Sequence, residues 1–132
     1  MARPPAAHEF EQAAELRRAL QEFLRQSERV TRRHGLTNER YQLLLLIRTS
    51  SREEAPTVGD LAAALHLSKS TITQLVRRAQ NLGLVRRELS ERDARIRYLR
   101  LTAEGERRLN AAVLELRDER HKLVELARRL DA

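Results

Sequence analysis

The sequence predicts a mainly helical α+β fold: a winged helix-turn-helix with a long helix at each end of the chain. Three observations support this prediction. Hydrophobic residues recur at three- and four-residue steps in both terminal parts of the chain, which is the period of one helical face. Two helix-start signals lie close together in the middle of the chain. Two short β-type stretches then flank a polar turn, which indicates a hairpin.

The composition excludes several classes of protein. The 132 residues suffice for one domain, which we expect to span residues 1–132. The absence of cysteine excludes disulfides and thiol chemistry. The longest apolar run covers only residues 43–47, whereas a helix needs about 20 apolar residues to cross a bilayer. No signal-peptide pattern follows the first residues. We therefore expect a cytoplasmic protein with no membrane partner.

Positive charge is concentrated in the middle of the chain. Of the formal net charge of +7, a net +5 falls within residues 57–101, against +2 in residues 1–56 and zero in residues 102–132. A localised excess of this kind predicts a surface that binds a polyanion. A solvated surface in an arginine-rich protein is the alternative, although that alternative predicts an even spread of charge.

The first two helices are predicted from their apolar spacing and their end signals. The first covers residues 8–34 and stops at Gly35. Thr37 is suited to cap a second helix over residues 38–50, whose nearly continuous apolar run indicates the central core element. Residues 50–56 form the predicted connecting loop, in which proline excludes helix.

Two short helices with a tight turn between them follow. The pattern from Thr57 to Asp60 is that of a capping box and opens a helix that runs to Leu65. Ser68 is suited to cap the next helix, which we expect to reach about Leu82. Gly83 then ends that helix in the left-handed backbone conformation.

The spacing within this pair is that of a helix-turn-helix. Ala62 supplies the small residue that lets the helices approach each other, and Ile72 the buried branched residue ten positions later. We interpret His66 as a turn residue with positive φ, which histidine tolerates better than most residues. The inner face of the second helix is expected to comprise Ile72, Leu75, Val76, Ala79 and Leu82.

The outer face of that second helix is polar and contains no acidic residue, which suits insertion into the major groove of DNA. Ser70, Thr71 and Gln74 are expected to contact base edges. The positions expected to bind the phosphate backbone are Ser68, Lys69, Thr73, Arg77 and Arg78. A winged helix whose outer face contacts another protein is the alternative.

A hairpin and a final helix complete the prediction. Strands over residues 84–89 and 95–101 flank the turn at 90–94, and Thr102 caps a last helix that extends to about residue 130. Asp93 and Arg95 lie two residues apart near the hairpin tip, with Arg97 beside them. An arginine at such a tip can enter the narrow minor groove, and a nearby carboxylate can orient its guanidinium.

The chain resembles the MarR family of bacterial transcriptional regulators over nearly its whole length. The resemblance depends on residues 35–37, on Leu61-Ala62 to Leu65 with Leu67-Ser68, and above all on the run from Gly83 to Arg87 continued by Asp93-Ala94-Arg95 and residues 101–105. It implies a homodimer that binds a pseudo-palindromic operator in duplex DNA at the bacterial nucleoid, usually repressing transcription until an effector disables it. It also implies that Asp93 positions Arg95 in the minor groove.

Family members typically dimerise through their terminal helices, here residues 8–34 and 102–130, around a DNA-binding lobe at residues 37–101. The last helix has an apolar stripe that suits such helix–helix packing. The stripe comprises Leu109, Val113, Leu116, Leu123, Ala127 and Leu130. Packing within one chain is the alternative.

Effectors in the resembling family are commonly small acidic aromatics, so a small aromatic or anionic effector is a further expected partner. The residues proposed to line its pocket are Phe10, Phe23, Arg40, Tyr41, Arg48 and Arg86. The simpler interpretation is that the few aromatic residues only fill the core.

The sequence predicts no enzymatic activity, metal site or cofactor. The four histidines lie at positions 8, 34, 66 and 121, with no short ligand spacing, and the glycines form no phosphate loop. Two alternatives to a sequence-specific regulator stay open. One is an architectural protein that binds DNA of any sequence, and the other is a winged-helix module for protein interaction.

Overall fold

The computed structural model describes residues 2–50 and 55–132. This part of the chain contains six helices and one two-stranded antiparallel sheet, as the predicted mainly helical winged-helix fold requires. The elements are, in chain order, α1 (Ala7–Arg33), α2 (Asn38–Thr49), α3 (Val58–Leu65), α4 (Lys69–Asn81), β1 (Val85–Leu89), β2 (Arg97–Leu101), α5 (Ala103–Glu115) and α6 (Arg117–Asp131). Residues 51–54 of the predicted loop lie outside the described residues.

The core is built around α2. Leu43 and Leu44 are completely buried and Ile47 nearly so, which confirms α2 as the central element. Buried residues from α1 and α3 to α5, and from both strands, form one hydrophobic cluster with them. Helix α6 contributes no buried residue, so it lies outside this core.

The helix-turn-helix has the predicted local chemistry. Thr57 and Asp60 form the capping box of α3, and Ser68 caps α4 by accepting a hydrogen bond from the Thr71 N–H. His66 ends α3 with φ of 55°, the left-handed conformation expected of it. Ala62, the small residue of the motif, is buried.

The prediction that Leu82 faces the core is wrong. Helix α4 ends at Asn81, and Leu82 is 46% exposed. Gly83, with φ of 73°, donates its N–H to Gln80 O, and the Leu84 N–H bonds to Ala79 O. This pair of bonds is a Schellman motif, which reverses the chain. As a result Leu84, which is completely buried, occupies the core in place of Leu82.

The hairpin pairs β1 and β2 with Val85 opposite Leu101 and Leu89 opposite Arg97. Strand β2 begins two residues later than predicted, because Asp93 organises the preceding residues into a turn. The Asp93 carbonyl accepts the Ile96 N–H at 3.0 Å, and its carboxylate accepts the Arg95 N–H at 3.0 Å. These bonds close a turn over residues 93–96, and β2 begins after that turn.

The last helix is divided into α5 and α6, whereas the sequence predicted one continuous helix. The break lies at Leu116, which is buried in the core. The side chain of Arg120 donates to Val113 O at 3.2 Å across the break, so a carbonyl next to the break is satisfied by a side chain. Helix α6 then packs along α1, where Arg129 pairs with Glu15 at 3.0 Å.

Helix α1 buries little of its predicted apolar face. Its apolar residues at three- and four-residue steps are Phe10, Ala13, Leu16, Leu20, Phe23, Leu24 and Val30. Only Val30 of this set is buried, while four large hydrophobic side chains stay exposed, namely Phe10, Leu16, Leu20 and Leu24. An amphipathic helix with its apolar face in water is unfavourable.

Among the described helices, none combines the length and the hydropathy that crossing a membrane requires.

Candidate nucleic-acid interface

The N-terminal end of α4 presents polar and basic groups to solvent. Lys69, Ser70, Thr71 and Gln74 are exposed, while Ile72 and Val76 point into the core. The first turn of α4 has no acidic residue, so no side chain there neutralises the positive end of the helix dipole. A helix start of this kind attracts phosphate groups.

The α4 surface extends onto neighbouring elements. Arg77 and Arg78 are exposed further along α4, and Thr73 is half-buried. A methyl group placed on Gly59 would lie 3.9 Å from Lys69 Cε, which puts the Lys69 side chain beside the first turn of α3. The Lys69 side chain therefore lies between the starts of α3 and α4.

The hairpin holds Arg95 in a defined orientation. Its Nε and Nη2 atoms donate to the two Asp93 carboxylate oxygens at 3.2 Å each, in a bidentate pair. The side-chain hydrogen bonds from Arg95, followed by that from its backbone N–H, hold the pKa of the Asp93 carboxyl below its usual value. The Ser90 hydroxyl accepts from the Asp93 N–H at 3.2 Å and fixes the turn. The side chain of Arg95 nevertheless remains 90% exposed.

The other arginines of the hairpin differ in their surroundings. Arg97 is exposed at the start of β2. Arg100 pairs with Glu88 at 2.9 Å across the sheet, and Arg86 lies 3.9 Å from the same carboxylate. The positive charge of Arg86 and Arg100 is thus partly neutralised, whereas Arg97 has no acidic partner within the described residues.

The sequence predicts no contact for Arg87, although Arg87 belongs to the run from Gly83 to Arg87 that carries the resemblance to the MarR family. In the structure the Arg87 Nε atom donates to Gln80 Oε1 at 3.2 Å. This bond joins β1 to α4 and fixes the hairpin relative to the helix. The only available signal was the motif itself, because a contact across seven residues between a strand and a helix leaves no periodic pattern.

The residues predicted for an effector pocket lie in different parts of one chain. Tyr41 is buried in the core, and this burial raises the pKa of its hydroxyl. Phe10 is 63% exposed, about 30 Å along α1 from Val30 by the helical rise, and Val30 is the α1 residue in the Tyr41 cluster. Within a single chain, Phe10 and Tyr41 are therefore too far apart to line one pocket.

The remaining residues of that set have different partners. Arg40 has a buried Nε atom without a hydrogen-bond partner in the described part of the chain. Arg48 lies 3.7 Å from Glu106 on α5, and Arg86 is in contact with Glu88 as described above. Phe23 is half-buried on α1. Residues 2–50 and 55–132 contain no group of three or more side chains that could hold a metal ion.

Comparison with known proteins identifies similar sequences and folds. The model of the MarR family matches residues 34–96. The transcriptional regulator HosA of Escherichia coli O127:H6 (strain E2348/69 / EPEC) is 36% identical over 78 residues, which are 59% of this chain. Those residues span 56% of the length of HosA, so the likeness does not extend over the whole relative.

Two solved structures extend the similarity beyond the matched segment. AbsC, a MarR family transcriptional regulator from Streptomyces coelicolor, superposes with a TM-score of 0.71 at 26% identity, covering 98% of this chain and 93% of AbsC. The M. tuberculosis transcriptional regulator MOSR, solved in complex with DNA, superposes with a TM-score of 0.63 at 29% identity, covering 86% of this chain and 80% of MOSR. The terminal helices and the lobe at residues 37–101 thus both have counterparts in a known fold.

Proposed function

Because this chain belongs to the MarR family, we propose that it is a sequence-specific transcriptional regulator that represses transcription by binding duplex DNA at the bacterial nucleoid. The observation that supports this proposal best is the Arg95 side chain. It is 90% exposed and yet held by two hydrogen bonds to Asp93. An exposed arginine fixed in one orientation suits insertion into a narrow, strongly negative groove.

The two basic surfaces have separate roles in this proposal. Helix α4 enters the major groove with Ser70, Thr71 and Gln74 toward the base edges, and Gln74 is suited to pair bidentately with adenine. The phosphate backbone is bound by Ser68, Lys69, Thr73, Arg77 and Arg78 around it. The hairpin places Arg95 in the adjacent minor groove, with Arg97 beside it at the phosphates.

The proposed functional unit is a homodimer. Four large hydrophobic side chains of α1 are exposed in the single chain, as are Leu114 on α5 and Val124 on α6. A second copy would cover these faces and remove their apolar surface from water. Two copies related by a two-fold axis present two α4 helices, and they therefore require an operator made of two inverted half-sites.

Release from DNA by a small aromatic or anionic effector is part of the proposal. The buried Arg40 Nε atom, which has no hydrogen-bond partner among the described residues, supports a site for an anionic group at Arg40. In a dimer, Phe10 and Phe23 of one copy approach the DNA-binding lobe of the other copy only if α1 crosses from the first copy to the second. The exposure of Phe10 in the single chain is consistent with that arrangement.

Selection from a library of randomised duplex DNA tests the specificity and the dimer together. We expect the protein to enrich an inverted repeat, with half-site centres about 10 base pairs apart or a multiple of that spacing. Enrichment of nothing beyond the input would favour the architectural DNA-binding protein. No retention of DNA at all would favour the protein-interaction module, and an asymmetric single half-site would contradict the dimer.

A further inference from the structure

A second basic site lies where α1 ends, away from the α4 and hairpin surfaces. It is a cleft of about 300 Å³ lined by Arg33, His34, Gly35, Arg107 and Arg108. The first three residues belong to the end of α1 and the turn that follows it, and the last two to α5. None of these five residues belongs to the DNA-binding set or the effector set proposed above.

Two arginines of the cleft share one carboxylate. Glu104 accepts from Arg107 at 2.5 and 3.0 Å and from Arg108 at 2.8 Å. These bonds lower the pKa of Glu104 to about 2, so the carboxylate is charged at neutral pH. Among the described residues, one negative charge between two guanidinium groups leaves one positive charge of this pair without compensation. Many N–H donors of the two side chains remain unused, because a guanidinium offers more donors than Glu104 accepts.

The turn after α1 places Arg108 at the cleft. Arg108 Nη1 donates to Gly35 O at 3.3 Å. A Cβ atom at Gly35 would lie 2.6 Å from that same Nη1 atom, and the backbone there has φ of 72°. Glycine therefore both permits the turn and leaves room for the guanidinium of Arg108 against the backbone.

The other wall of the cleft contains His34, beside Glu115. His34 Nε2 is buried and makes no hydrogen bond within the described residues, and the nearest acidic atom, Glu115 Oε1, is 3.7 Å away. Arg33 donates to the other oxygen of Glu115 at 2.6 Å. Glu115 thus lies between Arg33 and His34 and compensates part of the positive charge of this wall.

The C-terminal end of α1 repels a negative ligand less than a helix end whose carbonyl groups accept no hydrogen bonds. Its last carbonyls already accept N–H groups from the turn: Thr31 O accepts from His34 and Leu36, and Arg32 O accepts from Gly35. The partial negative charge of the helix C-terminus is therefore paired. The arginines dominate the potential of the cleft.

We infer that this cleft binds a small oxyanion, the phosphate or carboxylate group of a soluble compound, between Arg33, Arg107 and Arg108. Guanidinium groups bind both kinds of oxyanion through paired N–H donors. Such a ligand would join the end of α1 to α5. This site is independent of DNA binding, and it requires neither the dimer nor the effector pocket near Tyr41.

The test uses the full chain without DNA and two matched variants. Arg107→Gln removes one guanidinium from the cleft. Arg128→Gln is the control, because Arg128 is also an exposed α-helical arginine paired with a glutamate three residues earlier. Inorganic phosphate and acetate are titrated separately at constant ionic strength and followed by calorimetry, and circular dichroism verifies that each variant is folded.

We expect saturable binding of at least one of the two anions to the unmodified chain, an affinity about tenfold lower in Arg107→Gln and an unchanged affinity in Arg128→Gln. A tenfold change corresponds to the loss of one charge-assisted hydrogen bond. Binding of phosphate alone identifies a phosphate compound as the ligand class, and binding of acetate alone a carboxylate. Absence of saturable binding of either anion, or equal loss in both variants, would overturn the proposal.

Discussion

Replacing Gly105 with alanine is expected to destabilise the folded chain by about 3 kcal/mol or more, because the added methyl group has no space. A Cβ atom at Gly105 would lie 2.1 Å from Leu84 O and 3.0 Å from Leu84 C. The same carbonyl accepts the Thr102 N–H at 3.0 Å. The backbone must therefore move and weaken this bond, which adds to the usual overpacking cost of about 1–3 kcal/mol.

Urea denaturation measures this loss, with Gly59→Ala as the matched control. Gly59 lies in α3, and the nearest atoms to an added Cβ there are 3.7 and 3.9 Å away, at ordinary contact distance. We expect Gly59→Ala to be neutral or up to about 1 kcal/mol more stable, since alanine favours helix. Equal midpoints for the two variants would contradict the tight packing of α5 against the chain before β1.

Replacing Arg95 with alanine is expected to weaken binding to the selected DNA site by about 10- to 100-fold, or roughly 1–3 kcal/mol. The variant loses the guanidinium that Asp93 orients and that we propose to enter the minor groove. Its thermal stability should stay within about 0.5 kcal/mol of the unmodified chain, because the side chain is 90% exposed and surface pairs contribute little. Fluorescence anisotropy and thermal denaturation measure the two quantities.

Two further variants separate orientation from charge at the hairpin tip. Asp93→Asn keeps Arg95 but weakens the bidentate pair, so we expect a smaller loss of affinity than in Arg95→Ala. Arg92→Ala removes an exposed neighbouring arginine, and it should reduce affinity only by the amount that one screened charge accounts for. Unchanged affinity in Arg95→Ala would contradict the minor-groove role of this residue.

Short-range chemistry explains why so much of the lobe could be predicted from the sequence. The caps at Thr57 and Ser68, the left-handed turn at His66 and the C-terminal glycine at Gly83 each depend on residues within a few positions. Such signals need no knowledge of the rest of the fold. The Asp93–Arg95 pair is local in the same sense, and the structure shows it as a bidentate contact.

Features that interrupt the helical period, or that would need a second copy of the chain, are not predicted by the pattern of apolar residues. Leu82 continues the apolar period of α4, yet the reversal after it gives the core position to Leu84. No proline or glycine marks the break at Leu116. The Arg120 side chain donates a hydrogen bond to Val113 O across that break. A pocket that contains both Phe10 and Tyr41 would require a second copy of the chain. The apolar periodicity of one chain carries no information on such a pocket.

The central claim is that this chain distinguishes one DNA sequence from others, and one titration tests it most directly. Fluorescence anisotropy of the library-selected duplex is measured against unlabelled random duplex at several salt concentrations. We expect the selected site to bind at least about 10³-fold more tightly than random DNA, with an affinity that falls steeply as salt rises. A ratio near one at every salt concentration would contradict sequence-specific regulation.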